Sequence, residues 1–150
     1  MSARVHILNG PNLSRLGRRE PAVYGTTTAA ELAAFCAGWA GSLGIDLTFD
    51  QCEGEGQLVS WVHRAGDRAD GLILNAGAYT HTSVALRDAV SSISIPVIEV
   101  HLSNPASRET FRRQNLLEDV VYAGLRGFGV EGYRLALEGL AVRLRTTAGS

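Results

Sequence analysis

Arg4-Val-His-Ile-Leu-Asn-Gly-Pro-Asn-Leu-Ser-Arg-Leu-Gly-Arg-Arg-Glu-Pro-Ala-Val-Tyr-Gly25 is an apolar, strand-like run that empties into a long polar loop. A short apolar run closed by turn residues, as Val5 to Leu8 is by Asn9-Gly10-Pro11, reads as a buried strand. Loops of this length without secondary structure are uncommon in compact domains and are usually functional lids or disordered linkers. The contents here favour a lid, at about residues 15–26. Arg18 and Arg19 sit a few residues before Tyr24, so a guanidinium can fold back on the phenol and favour phenolate over phenol. Tyr24 is therefore a candidate base.

Working outward, strand patterns recur at Asp46 to Asp50, Gly71 to Asn75, Pro96 to Leu102 and Val120 to Arg126, with helical patterns between them. The first helix is expected to start at Thr28, where Glu31 completes a capping-box pattern, and to stop near Gly44, which suits a left-handed C-cap. Others are expected over Gly56 to Asp67, Thr82 to Ser92 and Gly129 to Arg145, with a short one over Ala106 to Arg113. Five strands alternating with helices predict an α/β fold with a parallel sheet covered on both faces, and the doubly wound order for five units is the flavodoxin-like 2-1-3-4-5. That order sets the carboxyl ends of the first and third strands beside the switch point, where ligands bind. The unusual polar residues fall there: Asn9 and Asn12 after the first strand, Asn75 after the third, and Glu99, His101 and Ser103 along and after the fourth.

The chain has 150 residues with 45% hydrophobic content, enough for one globular domain with a full core. No linker, repeat or low-complexity stretch divides it. A formal net charge of -1 gives no reason to propose nucleic acid or an anionic membrane as a partner. The N-terminal residues lack a charged segment followed by an apolar one, and no apolar run approaches a membrane span, so a cytoplasmic protein is expected. Cys36 and Cys52 lack metal-ligand spacing and read as packing residues.

All fourteen basic residues are arginine. Without lysine, a Schiff base to a ketone or to pyridoxal phosphate has no amine, and a P-loop has no residue for its phosphates. Both function classes are excluded.

Glu99 and His101 lie two apart on an expected strand, so both project from one face, and the carboxylate can fix the imidazole's tautomer or support its charged form. The plain alternative is a structural polar pair at a strand end. His63 and His6 lack such company and read as structural. Asn75 ends a strand, and Thr80-His-Thr-Ser then opens a helix whose first amides favour an anion, unless the motif is ordinary turn and cap chemistry. A second anion site is available at Leu102 to Asn104. Arg108 and Arg112, four apart, share a helical face that can point toward the cleft or into solvent. Arg113 reads as solvated. Gly127-Phe-Gly-Val-Glu-Gly132 spells a dinucleotide fingerprint, but too little chain follows for another strand and the acidic ribose partner. It is read as a decoy.

Together Asn9-Gly-Pro-Asn-Leu, Arg19-Glu-Pro-x-x-Tyr-Gly25, Asn75-Ala-Gly with Thr80-His-Thr-Ser, Glu99-Val-His-Leu-Ser-Asn and Arg108-Glu-x-Phe-Arg112 resemble the type II 3-dehydroquinate dehydratases. The resemblance covers about Val5 to Ala136. It implies anti elimination of water from 3-dehydroquinate through an enolate, giving 3-dehydroshikimate, with neither metal nor organic cofactor. Type I enzymes reach the same product through a lysine imine, a route closed to this chain. In the implied mechanism Tyr24, kept ionised by Arg19 with Arg108 nearby, removes a C2 hydrogen. A water held by Asn12 stabilises the enolate, and His101, oriented by Glu99, protonates the departing hydroxyl. Asn75, Leu102 and Ser103 hold the carboxylate, and His81 and Arg112 contact ring hydroxyls. The resemblance also implies a homododecamer, a tetramer of trimers, in which Asp88 reaches a neighbour's site. From the residues alone, Asp88 shares a helix face with His81, and an ion pair with Arg87 would account for it. Ser14-Arg15, Cys52-Glu53 and Asn115 depart from the family's usual residues at positions with no direct catalytic role. The rival class is a flavodoxin-like module binding FMN or another phosphate ligand at the same switch point.

Overall fold

A computed structural model describes residues 2–18 and 20–148. Five parallel strands, β1 (Ala3–Asn9), β2 (Ile45–Gln51), β3 (Gly71–Asn75), β4 (Val97–His101) and β5 (Ala123–Arg126), form one sheet in the expected order β2-β1-β3-β4-β5. The helices are a single turn α1 (Pro21–Tyr24), then α2 (Ala29–Ser42), α3 (Glu55–Arg68), α4 (Val84–Ser92) and α5 (Glu131–Ala148). No helix among the described residues is long and apolar enough to cross a membrane.

Period-2 alternation sorts the strands between two cores. Val5, Ile7, Ile73, Ile98 and Val100 face Leu32 and Cys36 of α2 and Leu137 and Leu140 of α5. Leu8, Leu72, Leu74 and Val97 face Leu58, Val62 and Ala65 of α3 and Leu86, Ala89 and Val90 of α4. Three- and four-residue spacings put each helix's buried residues on one stripe. Leu137 and Leu140 are fully buried, so cutting either back to alanine removes about 2–5 kcal/mol. Along β4 the same alternation turns Glu99 and His101 to the face opposite Ile98 and Val100. Both thiols are buried, and burial pushes that of Cys36 up to about 12.

Thr28 caps α2 with both arms of the predicted box: its hydroxyl accepts from the Glu31 amide, and the Glu31 carboxylate accepts from the Thr28 amide, each at 3.1 Å. Gly44 follows with φ +69°, the left-handed turn expected of it. Other expectations need correction. The last strand begins at Ala123 rather than Val120, because residues 117–122 turn, with the amides of Val120 and Val121 both donating to the Leu117 carbonyl. The helix expected over Ala106 to Arg113 is two 3-10 turns, Pro105–Ser107 and Thr110–Arg113, interrupted by a bend at Arg108, with φ -106° and ψ -147°. Arg108 and Arg112 therefore share no helical face.

The helix expected at Thr82 begins at Val84. Residues Gly77–His81 form a 3-10 turn instead, and Ser83 caps α4 by accepting from the Leu86 amide at 2.9 Å. The anion-binding reading of this helix start therefore yields to cap chemistry, the alternative weighed for it. The long loop also contains structure: a 3-10 turn at Leu13–Arg15 and the helical turn α1. Gly127 and Gly129, at φ +89° and +61°, make the turn between β5 and α5.

Candidate active site

The chain leaves β1 by crossing the backbone that leaves β3. The Gly10 amide donates to the Asn75 carbonyl at 2.8 Å, and a Cβ on Gly10 would lie 2.5 Å from the Ala76 carbonyl oxygen. Only glycine fits that crossing. It opens a cleft of about 220 Å³ at the carboxyl ends of β1, β3 and β4. Nine of the twelve predicted site residues line it: Asn12, Tyr24, Asn75, His81, His101, Leu102, Ser103, Arg108 and Arg112. Glu99 lies directly behind His101. Asp88 is exposed on α4 and does not line this cleft. Arg19 lies outside the described residues.

Tyr24 ends α1 half-buried, and its phenol oxygen accepts a hydrogen bond from Arg108 Nη1 at 2.7 Å. The Arg108 guanidinium also lies over the ring, 5.2 Å from its centroid. It approaches Glu20 and Glu109 at 3.8 and 3.9 Å and Ser103 Oγ at 3.5 Å, so carboxylates hold it in place beside the phenol. Arg18 is exposed, and this guanidinium comes from a turn 84 residues away in sequence rather than from the loop itself. The break at Arg108 that defeated the helix expectation belongs to the same turn.

His101 Nε2 lies 3.1 Å from Glu99 Oε2. Thr80 Oγ1 donates to the same carboxylate oxygen at 3.1 Å, and Asn115 Nδ2 donates to Oε1 at 2.9 Å. Burial raises the Glu99 carboxyl, but contacts from His101, Asn115 and Thr80 outweigh it and hold the group below its ordinary 4.5. The pair is thus a carboxylate bonded to an imidazole that lines the cleft. Asn115 also caps the following turn, its Oδ1 accepting from the amides of Leu117 and Glu118 at 2.8 and 3.0 Å. Sequence reading gave Asn115 no part in the site, and the signal was weak: a lone asparagine sixteen residues past Glu99.

Asn75 is buried, and its amide orientation follows from its partners. Its Oδ1 accepts from the Gly77 amide at 3.1 Å, and its Nδ2 donates to the Tyr133 hydroxyl at 2.8 Å. Tyr133, fully buried on α5, donates a hydrogen bond from its own hydroxyl to Asn9 Oδ1 at 2.7 Å, and Asn9 Nδ2 donates to the Asp50 carbonyl at 3.0 Å. One of the two Asn75 amide hydrogens is used in the bond to Tyr133, and Asn75 itself lines the cleft. Tyr133 was also missed: inside an apolar helical stripe it reads as core.

His81 Nδ1 lies 2.7 Å from the Gln114 carbonyl oxygen, which only accepts, so the proton is on Nδ1 and Nε2 is the acceptor of the neutral ring. Gln114 Nε2 closes the pair by donating to the His81 carbonyl at 3.1 Å. Arg112 bonds Glu109 at 3.1 Å at the cleft margin, and Arg113 is exposed as expected. Asp88 does not pair with Arg87, whose guanidinium makes two bonds to Asp119 instead. His81 lies in a 3-10 turn, so the shared helix face expected for the two residues does not exist. His6 is buried on β1, away from the cleft, and burial lowers its imidazole.

The family pattern of class II dehydroquinases matches residues 3–141. A 3-dehydroquinate dehydratase of Rhodopseudomonas palustris strain HaA2 is 47% identical over 149 residues, 99% of each chain. Another from Mycobacterium bovis is 51% identical over 142 residues, 95% of this chain and 97% of its own. The crystal structure of type II dehydroquinase from Propionibacterium acnes superposes with a TM-score of 0.92 at 42% identity, covering 95% of this chain and 98% of the other.

Proposed function

The chain belongs to the class II dehydroquinase family, so the reaction to be accounted for is the dehydration of 3-dehydroquinate in the shikimate pathway, and we propose that Tyr24 and His101 divide it as base and acid. The observation that carries this reading is that a phenol bonded to a guanidinium and an imidazole bonded to a carboxylate line one cleft. Tyr24 removes a C2 hydrogen acidified by the C3 ketone, and the electrons move to the ketone oxygen as an enolate. Arg108, with Arg19, favours the phenolate that this step needs. A water held by Asn12 stabilises the enolate oxygen. Collapse of the enolate forms the C1–C2 double bond and expels the C1 hydroxyl, which His101 protonates as it leaves. The net change is loss of water in an anti elimination.

Asn75 offers its remaining N–H to the substrate carboxylate, beside Leu102 and Ser103. His81 accepts from a ring hydroxyl through Nε2, and Arg112 contacts another. The resemblance implies neither metal nor organic cofactor, and none is assigned a step. The test is growth of enone absorbance when 3-dehydroquinate is added, unaffected by borohydride beyond its effect on the free ketone. A stable mass adduct of reduced substrate on the protein would overturn the enolate route. The family match removes the reason for preferring a flavin-binding module.

The same reading takes the protein as cytoplasmic and as a tetramer of trimers. An exposed Asp88, outside its own cleft, supports a role across a subunit boundary. Asp88→Ala should lose activity while keeping its fold, and mixed oligomers with a Tyr24 variant should regain some. Failure of complementation in demonstrably mixed oligomers would count against the shared site.

A further inference from the structure

Glu53, two residues past β2, reaches into the loop that carries Asn12. Glu53 Oε2 accepts from the Asn12 backbone amide at 2.8 Å, and Oε1 accepts from Ser14 Oγ at 2.7 Å and from Gln51 Nε2 at 2.9 Å. Its backbone carbonyl accepts from the Tyr79 hydroxyl at 2.7 Å, and Gln51 Nε2 also reaches the Gly10 carbonyl at 3.1 Å. One exposed glutamate thus ties together the segments that leave β1, β2 and β3, all at the cleft end of the sheet. Asn12 has φ +71°, a left-handed conformation uncommon outside glycine and tolerated best by asparagine and aspartate. Its amide is therefore turned by a backbone state that needs a partner to hold it. The contacts from Asn12 first, then Ser14 and Gln51, keep the Glu53 carboxyl below its ordinary range, so the acceptor is the ionised form.

We infer that Glu53 is a positioning residue for the elimination: its carboxylate holds Asn12 in the left-handed turn from which the asparagine side chain holds the water on the enolate oxygen. The inference rests on the proposed role of Asn12. Two features separate it from simple loop anchoring. The bond is to the amide of Asn12 itself, and the second carboxylate oxygen grips Ser14, inside the 3-10 turn Leu13–Arg15 that immediately follows. Glu53 is exposed and lies outside the cleft lining, so its removal leaves substrate contacts and the core intact.

An interaction realised only as charge develops on the enolate affects kcat and kcat/KM together and leaves KM nearly unchanged. Glu53→Ala should lower kcat by on the order of 10- to 100-fold, the scale of a misplaced catalytic group, with KM within about twofold. Deuterium at substrate C2 should slow this variant more than the parent, since enolate formation becomes more fully rate-limiting. Glu53→Gln, which keeps one acceptor oxygen, should recover part of the loss. Asn12→Ala should lose at least as much, and adding Glu53→Ala to it should cost little more. Circular dichroism of each variant should match the parent.

If Asn12→Ala is crippled and Glu53→Ala turns over within twofold of the parent, the positioning role is overturned and the Asn12 assignment stands. Fully multiplicative losses in the double variant, or a Glu53→Ala defect confined to KM, also overturn it. If Asn12→Ala itself turns over normally, the enolate role of Asn12 falls and the inference falls with it.

Discussion

Arg108 donates to the Tyr24 phenol oxygen at 2.7 Å although 84 residues separate them in sequence. The contact joins the lid turn α1 to the segment after β4. It has two consequences that can be tested separately: the phenol oxygen is at the cleft, and a cation sits on it.

Tyr24→Phe removes that oxygen and keeps the ring, so the hydrophobic contacts of Tyr24 with the core beneath it survive. Loss of a general base typically costs about 10² to 10⁴ in rate. Turnover should fall by at least that much with circular dichroism unchanged. Near-normal turnover would reduce Tyr24 to a lid-packing residue.

Arg108→Gln removes the cation and leaves a neutral donor. The guanidinium bonds the phenol oxygen and holds it at the cleft, so its loss should lower kcat by on the order of 10- to 100-fold, the scale of a misplaced catalytic group, with circular dichroism unchanged. A raised KM with kcat unmoved would assign Arg108 to substrate binding alone. Arg19→Ala tests the other guanidinium named for this task in the same way.

Strand order, both cores, the α2 capping box and nine cleft residues were legible from residue spacing and motif resemblance. The strand order, the cores and the cap rest on local signals, hydrophobic period and cap chemistry, whereas the cleft residues came largely from the motif resemblance. The partners of those residues were not legible. Glu53, Asn115, Gln114 and Tyr133 each bond a residue of the site from a segment distant in sequence, and their bonds span 41, 16, 33 and 58 residues. No periodicity records such a contact. The missed break at Arg108 has the same origin: a helical pattern over Ala106 to Arg113 yielded to tertiary contacts, with Arg108 extended toward Tyr24 and three acidic or hydroxyl neighbours.

Glu99 gives a pH signature. Its carboxyl is held below the ordinary 4.5 in the folded chain, so the carboxylate contributes stability that is complete above that value. The contribution is lost as pH falls from there through the folded value, because the unfolded chain takes up the proton first. Glu99→Gln has no charge to lose, so its urea midpoint should depend less on pH below about 4.5 than the parent's. At neutral pH the variant should also be slow, since His101 loses the carboxylate that orients it. An identical acid slope in parent and variant would remove Glu99 from the titration.

Tyr133 makes the last prediction, because its hydroxyl serves the fold and the site together. Tyr133→Phe leaves Asn9 Oδ1 and one Asn75 N–H without their buried partner. Each unsatisfied buried polar group costs about 1–3 kcal/mol, so the variant should lose at least that much stability, read as a lower urea midpoint. The Gly77 amide still holds Asn75 Oδ1, so the asparagine is loosened rather than released. Binding should weaken for ligands that carry the carboxylate, seen as a raised KM with a smaller change in kcat. Asn75→Ala supplies the control, since it should raise KM by itself and make Tyr133→Phe silent toward KM when combined with it. If Tyr133→Phe loses stability but keeps the parent KM, while Asn75→Ala raises it, the hydroxyl is a core anchor and the Gly77 bond alone orients the amide. A parent-like KM in Asn75→Ala would instead move the carboxylate site off Asn75.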